Sequence, residues 1–303
     1  MRTLNLAGRL HLRTLEGPVD VERLSSGRFG PDPQDVYSRW DEFIEWAGPH
    51  ACLGADAPVL VDSGTLGSPA PRPRQIFAVG FNYLDHVSES EVAVPEEPAI
   101  FTKFESSLTG PDGLLVLPSD HVDWEVELVV VVGRRAVSVD PDRAWDHVAG
   151  LAVGQDYSER RVQLAGPHPQ FSLGKSFPGF GPIGPVLVTP DEFEHPDDLA
   201  IECSIDGETV QKARTSAMIF KVPDLISRIS AVLPILPGDV IFTGTPSGVG
   251  AARTPARFLR PGEKVVSRVE GIGSITQRCV APIGRGTLSH SVTHTSFADD
   301  GGD

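Results

Sequence analysis

The chain is short of the residues that build thiol-based, membrane-spanning or nucleic-acid-binding proteins. Its 303 residues hold three cysteines, Cys52, Cys203 and Cys279, far apart and with no Cys-x-x-Cys pair. A thiolate metal cage and a disulfide framework are therefore disfavoured, and a reducing, cytoplasmic setting is expected. The longest apolar run, Leu128 to Val132, falls far below the ~20 residues that a membrane helix needs. Met1-Arg-Thr-Leu-Asn-Leu6 lacks a long apolar stretch, so no secretory leader is expected. Basic residues are scarce too: 26 Lys and Arg face 41 Asp and Glu, a net charge of −15. No basic stripe offsets that charge, which argues against nucleic acid as a partner. There is no Gly-x-Ser-x-Gly and no His-Glu-x-x-His, so a serine hydrolase elbow and a zincin helix have no support. Thr243-Gly-Thr-Pro-Ser-Gly-Val-Gly250 lacks a Gly-Lys-Ser/Thr ending, which rejects nucleotide binding. Its backbone N–H groups and the Thr245 hydroxyl still suit a small carboxylate.

Glycine and proline, at 31 and 27 residues, are plentiful, and 40% of the chain is hydrophobic. That favours a loop-rich β architecture around a sizeable core. Residues 1–72 read as a small N-terminal domain. Leu4, Leu6 and Arg9 to Leu12 alternate like strands, and Asp32 to Ala47 reads as a helix with Tyr37, Trp40, Phe43, Ile44 and Trp46 on one face. Pro69-Ala-Pro-Arg-Pro-Arg74 reads as a linker. Residues 73–285 then form the larger domain, with strands expected at Ile76–Val79, Leu114–Leu117, Glu125–Val132, Val186–Val188, Leu199–Ile205, Val240–Phe242 and Lys264–Val269. Asp206-Gly207 signals a tight hairpin. Helices are expected at Tyr83–Ser90, Asp142–His147 and Pro223–Leu233, too few between strands for a regular parallel α/β alternation. Residues 286–303, including His290 and His294, read as a disordered tail.

Three carboxylates organise the chemistry. Glu125 and Glu127 lie two apart in Val122-Asp-Trp-Glu-Val-Glu-Leu-Val-Val-Val-Val132, so a strand would point both to one face. Like charges side by side repel unless a cation sits between them. Asp156, in Gly154-Gln-Asp-Tyr157, would complete an all-oxygen site for Mg²⁺ or Mn²⁺. His86 and Glu89, spaced i, i+3, would share one side of a helical turn, where a carboxylate orients an imidazole as a base. Lys175, in Gln170-Phe-Ser-Leu-Gly-Lys-Ser-Phe177, and Lys103, in Ile100-Phe-Thr-Lys103, are candidates for holding an anionic oxygen. Taken singly, each admits a plainer reading: a solvated edge strand, a surface helix pair, snorkelling lysines.

Together and in order, these segments resemble the fumarylacetoacetate hydrolase family. The resemblance rests on Val-Gly-x-Asn-Tyr-x-Asp-His at 79–86, Phe-Thr-Lys at 101–103, Ser-Ser-Leu-x-Gly-Pro at 106–111 and Val-Asp-Trp-Glu-Val-Glu-Leu at 122–128. It continues through Val-Gly-Gln-Asp at 153–156, Gly-Lys-Ser-Phe at 174–177, Gly-Pro-Ile-Gly-Pro at 181–185 and Pro-Gly-Asp-Val-Ile-Phe-Thr-Gly-Thr-Pro at 237–246. It implies an α+β, β-rich fold: a mixed β-roll catalytic domain beside a small N-terminal domain, assembled as a homodimer. It implies Mg²⁺ or Mn²⁺ on Glu125, Glu127 and Asp156, His86 and Glu89 as a water-activating dyad, and Lys175 as the catalytic lysine. Arg160, Gln163 and Thr245 match substrate-contacting positions, with Lys103 added as a further substrate contact. Phe104-Glu105 departs from the proline-rich residues common after that lysine. The activity expected first is hydrolysis of a C–C bond in a 2,4-dioxo acid such as an acylpyruvate, through a metal-bound pyruvate enolate. The alternatives are decarboxylation or tautomerisation of oxaloacetate, isomerisation or hydration of a related oxo acid and, last, a non-catalytic binding protein.

Overall fold

The computed structural model describes residues 1–14, 16–51, 65–90 and 93–282. The tail expected at 286–303, with His290, His294 and also Cys52, lies outside the described residues. The architecture is mixed α+β and strand-rich, and its sheets form no closed barrel among the described residues.

The central element is the strand Val126–Val132, in which all seven residues are buried. A strand sends alternate side chains to opposite faces, so a run of β-branched residues with no polar break needs apolar partners on both sides. Trp124, Val126, Leu128 and Val130 enter one apolar cluster, and Val129 and Val131 enter the other. The first cluster is shared with Ile201, Cys203, Val265 and Ile275 of a five-stranded second sheet. The second is closed by Trp40 and Phe43 of the helix Trp40–Ala47.

Among the described residues the first sheet has eleven strands. Its main path runs Gly17–Asp20, Arg9–Thr14, Arg2–Leu6, Gly181–Val188, Val148–Gln155, Val126–Val132, Val240–Phe242, Ile76–Gly80 and Ala99–Thr102. Arg2–Leu6 hydrogen-bonds antiparallel to Gly181–Val188, so the sheet and its core run across residue 72. The second sheet is ordered Glu208–Arg214, Ala200–Ile205, Lys264–Val269, Gly273–Val280 and Asp112–Val116. Asp206 and Gly207, at φ 50° and 88°, make the hairpin turn between its first two strands, the left-handed pair that a two-residue hairpin requires.

Most expected elements occur, with shifted bounds. The helix expected over 32–47 splits into a 3₁₀ segment, Asp35–Arg39, and the α-helix Trp40–Ala47. The one expected over 142–147 is 3₁₀, Pro141–His147, and the one over 223–233 is α, Val222–Val232. Two strands that contribute to the core, Val148–Gln155 and Gly273–Val280, escape sequence reading. Val148–Gln155, Val-Ala-Gly-Leu-Ala-Val-Gly-Gln, looks like a small-residue loop yet is buried throughout. Its glycines are required by proximity: a Cβ on Gly154 would meet Val129 Cγ2 at 2.4 Å, and one on Gly150 would meet Leu187 Cγ at 2.6 Å. Among the described residues, no helix is long and apolar enough to cross a membrane.

Candidate metal and proton-transfer site

The hydrogen-bonded strand begins at Val126, not at Glu125 as the sequence suggests. Glu125 stands one residue ahead of it. Its N–H donates to the Gln155 side-chain oxygen at 2.8 Å, while its C=O accepts from Asp156 N at 2.9 Å. The antiparallel register opposes Val126 to Gln155, which brings Asp156 beside Glu125. Glu125, Glu127 and Asp156, all buried, each offer an oxygen within 4.8 Å of the others.

This cluster fits a hard divalent cation. Glu127 Oε2 accepts from Gly244 N at 2.7 Å, but Oε1 is buried with no hydrogen-bond partner. A buried carboxylate oxygen left unpaired is costly. Burial, reinforced by Asp156 and Glu125, pushes the Glu127 carboxyl well above the usual range. Oxygen-only donors select Mg²⁺ or Mn²⁺ over softer metals.

Cations pack around the same carboxylates. Lys175 Nζ lies 2.6 Å from Glu125 Oε2 and 2.9 Å from Asp156 Oδ2. Arg160 donates to Glu125 Oε1 at 2.7 Å, to Asp123 at 2.7 and 3.0 Å, and to Gln163 Oε1 at 2.8 Å. Burial alone would raise Glu125, but Lys175, Arg160 and His86 outweigh it and hold the carboxyl at about 2. Burial likewise works against Lys175, yet Asp156 and Glu125 prevail and raise its ammonium. Lys103 Nζ donates to Asp156 Oδ1 at 2.7 Å and to the Lys175 carbonyl. Like Glu127 and Asp156, it does not line the cavity reached by Glu125, Lys175 and His86. Ionised Glu125, Glu127, Asp156 and Asp123 exceed Lys103, Lys175 and Arg160 by one charge. Glu89, in the same cavity, brings the excess to two, which a divalent ion on Glu125, Glu127 and Asp156 would neutralise.

The dyad shares its cavity with Glu125. The helix Leu84–Glu89 puts His86 Nδ1 2.7 Å from Glu89 Oε1, and Glu89 Oε2 accepts from Gly248 N at 2.8 Å. A carboxylate only accepts, so Nδ1 carries the hydrogen and Nε2 is left as the basic atom. Phe81 stacks on the imidazole, 5.7 Å between centroids at 18°. Phe81 sits at φ 55°, left-handed backbone that costs a bulky residue about 1–3 kcal/mol. His86, Glu89, Glu125, Arg160, Gln163, Lys175 and Thr245 line one cavity of 480 Å³, with Phe81, Phe101 and Phe171 among its apolar wall. Thr245 Oγ1 donates to Val126 O at 3.0 Å. The glycine loop, expected to suit an outside carboxylate, uses Gly244 and Gly248 N–H groups on the protein's own Glu127 and Glu89.

Sequence reading missed the roles of Asp123, Gln155, Gln211, Gly244 and Gly248. The first two sit inside quoted motifs, and the glycines lie in a loop already noted. Gln211 had no signal at all.

The raised carboxyl of Glu127 fixes a pH dependence. The folded state keeps a proton that the unfolded chain releases near the ordinary glutamate value of 4.5. Glu127 therefore lowers metal-free stability progressively as pH rises above 4.5 toward its raised folded value. Mn²⁺ competes with that proton, so its affinity rises with pH over the same window. Thermal melts in chelator and in Mn²⁺, as a function of pH, measure both trends. Parallel curves would contradict the assignment.

The strand-rich fold carries a buried carboxylate triad suited to a divalent metal, with a His–Glu pair lining the cavity that Glu125 and Lys175 also reach. The profile described as Fumarylacetoacetate (FAA) hydrolase C-terminal matches residues 75–280, and the chain belongs to that family. It is 46% identical over 231 residues to the mitochondrial oxaloacetate tautomerase FAHD2A of Homo sapiens, covering 75% of this chain and 74% of that one. A protein from Mycobacterium smegmatis solved as a candidate HpcE is 57% identical, with a TM-score of 0.87 over 93% of this chain and 99% of that one. Maleylpyruvate hydrolase from Sphingobium sp. SYK-6, solved with manganese(II) and pyruvate, is 27% identical, with a TM-score of 0.72 over 93% and 99%. These relatives support an enzyme family acting on small oxo acids. They bring forward the tautomerase placed second above and do not single out a hydrolase. The mitochondrial location in the human relative's name gives no support to the cytoplasmic setting expected here.

Proposed function

We propose that this protein is a divalent-metal-dependent tautomerase of a small 2-oxo acid, with oxaloacetate as its leading substrate. The observation that carries this reading is the His86–Glu89 pair lining the same cavity as Glu125 and Lys175. The tautomerase name of the 46% identical human relative supports it.

Glu125, Glu127 and Asp156 would hold the ion, which when bound supplies Lewis-acid stabilisation of enolate charge. His86 Nε2 takes the proton from the carbon next to the 2-oxo group, and the imidazolium then returns a proton to the enolate oxygen. Glu89 keeps the ring in the right tautomer and stabilises its charged form. Lys175 Nζ donates to Glu125 Oε2 at 2.6 Å and, at 3.5 Å, to the Asp156 carbonyl, with Asp156 Oδ2 2.9 Å away, and its ammonium charge at the cavity wall would favour the developing oxyanion. Arg160 and Gln163 bound the space for the remainder of the acid.

A second reading is C–C hydrolysis of a 2,4-dioxo acid. It is favoured by the cavity volume of 480 Å³, more than a four-carbon acid fills, and by the maleylpyruvate hydrolase relative. There the same dyad would deprotonate water. Enol oxaloacetate added to the Mn²⁺- or Mg²⁺-loaded protein should lose its enol absorbance faster than in buffer, with no pyruvate formed. Faster turnover of acetylpyruvate, with stoichiometric pyruvate, would return the hydrolytic reading to first place. Neither activity, in a protein that binds metal, would leave a binding protein. Homodimer assembly and a cytoplasmic location stay within the proposal, and sedimentation equilibrium tests the first.

A further inference from the structure

Val126 lies between two of the candidate metal ligands, and its backbone is held in an unusual way. The neighbouring strand Val240–Phe242 pairs only with Val129, Val130 and Val131. Thr243 N extends the contact to Leu128 O, and there the ladder ends on that side. The N–H and C=O of Val126 need partners, because both are buried. Side chains supply them. Val126 N donates to Gln211 Oε1 at 3.0 Å, and Gln211 Nε2 donates to Thr245 Oγ1 at 2.8 Å. Thr245 Oγ1 then donates to Val126 O at 3.0 Å, which closes a ring. The second hydrogen of Gln211 Nε2 goes to Pro246 O at 2.8 Å. Gln211 belongs to Glu208–Arg214 in the second sheet and is 2% exposed.

We infer that Gln211 is a positioning residue for the metal triad, acting through Thr245 and the backbone of Val126. The ring spans one residue of chain, and the two carboxylates that flank it are the ones that must converge. A peptide free to rotate at Val126 would swing Glu125 and Glu127 apart. Every polar atom of the Gln211 amide is committed, so the side chain has one orientation. The ring also changes the role of Thr245. Its single hydroxyl hydrogen goes to Val126 O, so it has none to give a substrate and meets one only as an acceptor.

The inference rests on the metal reading, and the test separates the two. Mn²⁺ alone is titrated into the full-length protein and followed by electron paramagnetic resonance. Glu125→Ala reports on the metal site itself: unchanged affinity there would remove the triad. With that control lost as expected, Gln211→Met should weaken Mn²⁺ binding about 10- to 100-fold, the usual cost of losing a group that orients a ligand. Thr245→Val should weaken it similarly, Thr245→Ser should restore it, and the Gln211/Thr245 double variant should be no worse than either single one. Additive losses would mean two independent effects and would overturn the ring. Gln277→Met is the structural control, since Gln277 is buried and bonds to Tyr157 and Pro111 without touching a ligand. Its Mn²⁺ affinity should match wild type; an equal loss there would reduce Gln211 to a general packing residue. If Gln211→Met does not fold, the Thr245 pair decides: Val and Ser variants of equal affinity overturn the inference.

Discussion

Glu127→Gln loses Mn²⁺ binding and activity together, while its metal-free form melts above metal-free wild type at neutral pH. The two halves have one cause. Glu127 has one oxygen on Gly244 N and one with no partner, and it faces Asp156 and Glu125. Without an ion, an ionised Glu127 is a buried charge among like charges, so the neutral amide suits the site better. Its oxygen still accepts from Gly244 and its NH₂ can donate to the neighbouring carboxylates. With an ion present the ranking inverts, because the amide supplies no charge. Activity should fall by about 10³-fold or more, as expected when several kcal/mol of transition-state charge stabilisation is removed. The pH slope of metal-free stability should flatten in the same variant, since the proton that causes it is gone. Calorimetric melts across pH with and without Mn²⁺, a metal titration and a turnover assay check these outcomes. A metal-free variant clearly less stable than wild type would show that Glu127 is structural and not a poised ligand.

This result turns on facts that differ in how visible they are in the chain. That Glu125 and Glu127 point one way is legible, because strand alternation follows from a run of valines. That the strand is buried on both faces is legible for the same reason. That Glu127 lacks a partner is not, because Gly244 lies more than a hundred residues away and only the fold brings it near. The strand Val148–Gln155 was hidden by its glycines, which are there because Val129 and Leu187 leave no room for a Cβ. Lys103 and Lys175 looked alike in sequence, each a lone cation among apolar residues. The structure separates them by which oxygen of Asp156 they meet: Lys175 reaches the cavity and Lys103 does not. Asp123 was passed over although it stands two residues from Glu125, since nothing local tells that it fixes Arg160.

The glycine loop ties the two halves of the site together. Gly244 holds a triad carboxylate and Gly248 holds the dyad carboxylate, so five residues of one loop, 244–248, fix where the dyad lies relative to the triad. Gly248 sits at φ 103°, and a Cβ there would meet Val210 O at 2.1 Å. Both glycines therefore hold carboxylates through backbone, which no side-chain motif would reveal.

His86→Ala gives the second large effect, and it should leave the metal untouched. His86 contacts Glu89 and Phe81, and it is not one of the three carboxylates that would hold the ion. Mn²⁺ affinity should stay within about twofold of wild type, because a side chain outside the ligand set and its supports leaves the donor geometry alone. Turnover should fall about 10²–10⁴-fold, the range for a positioned general base. Glu89→Gln should fall less, since the ring remains but its orientation and charge support are weakened. The sharper measurement is exchange of the substrate carbon-bound hydrogen in D₂O, which reads proton abstraction directly whichever product follows. If His86 is the base, exchange and turnover drop together in His86→Ala. If exchange persists while acetylpyruvate cleavage is lost, His86 acts on water, and the site belongs to the hydrolytic reading. If both persist with metal bound, the proton is handled elsewhere in the cavity and the dyad assignment is gone.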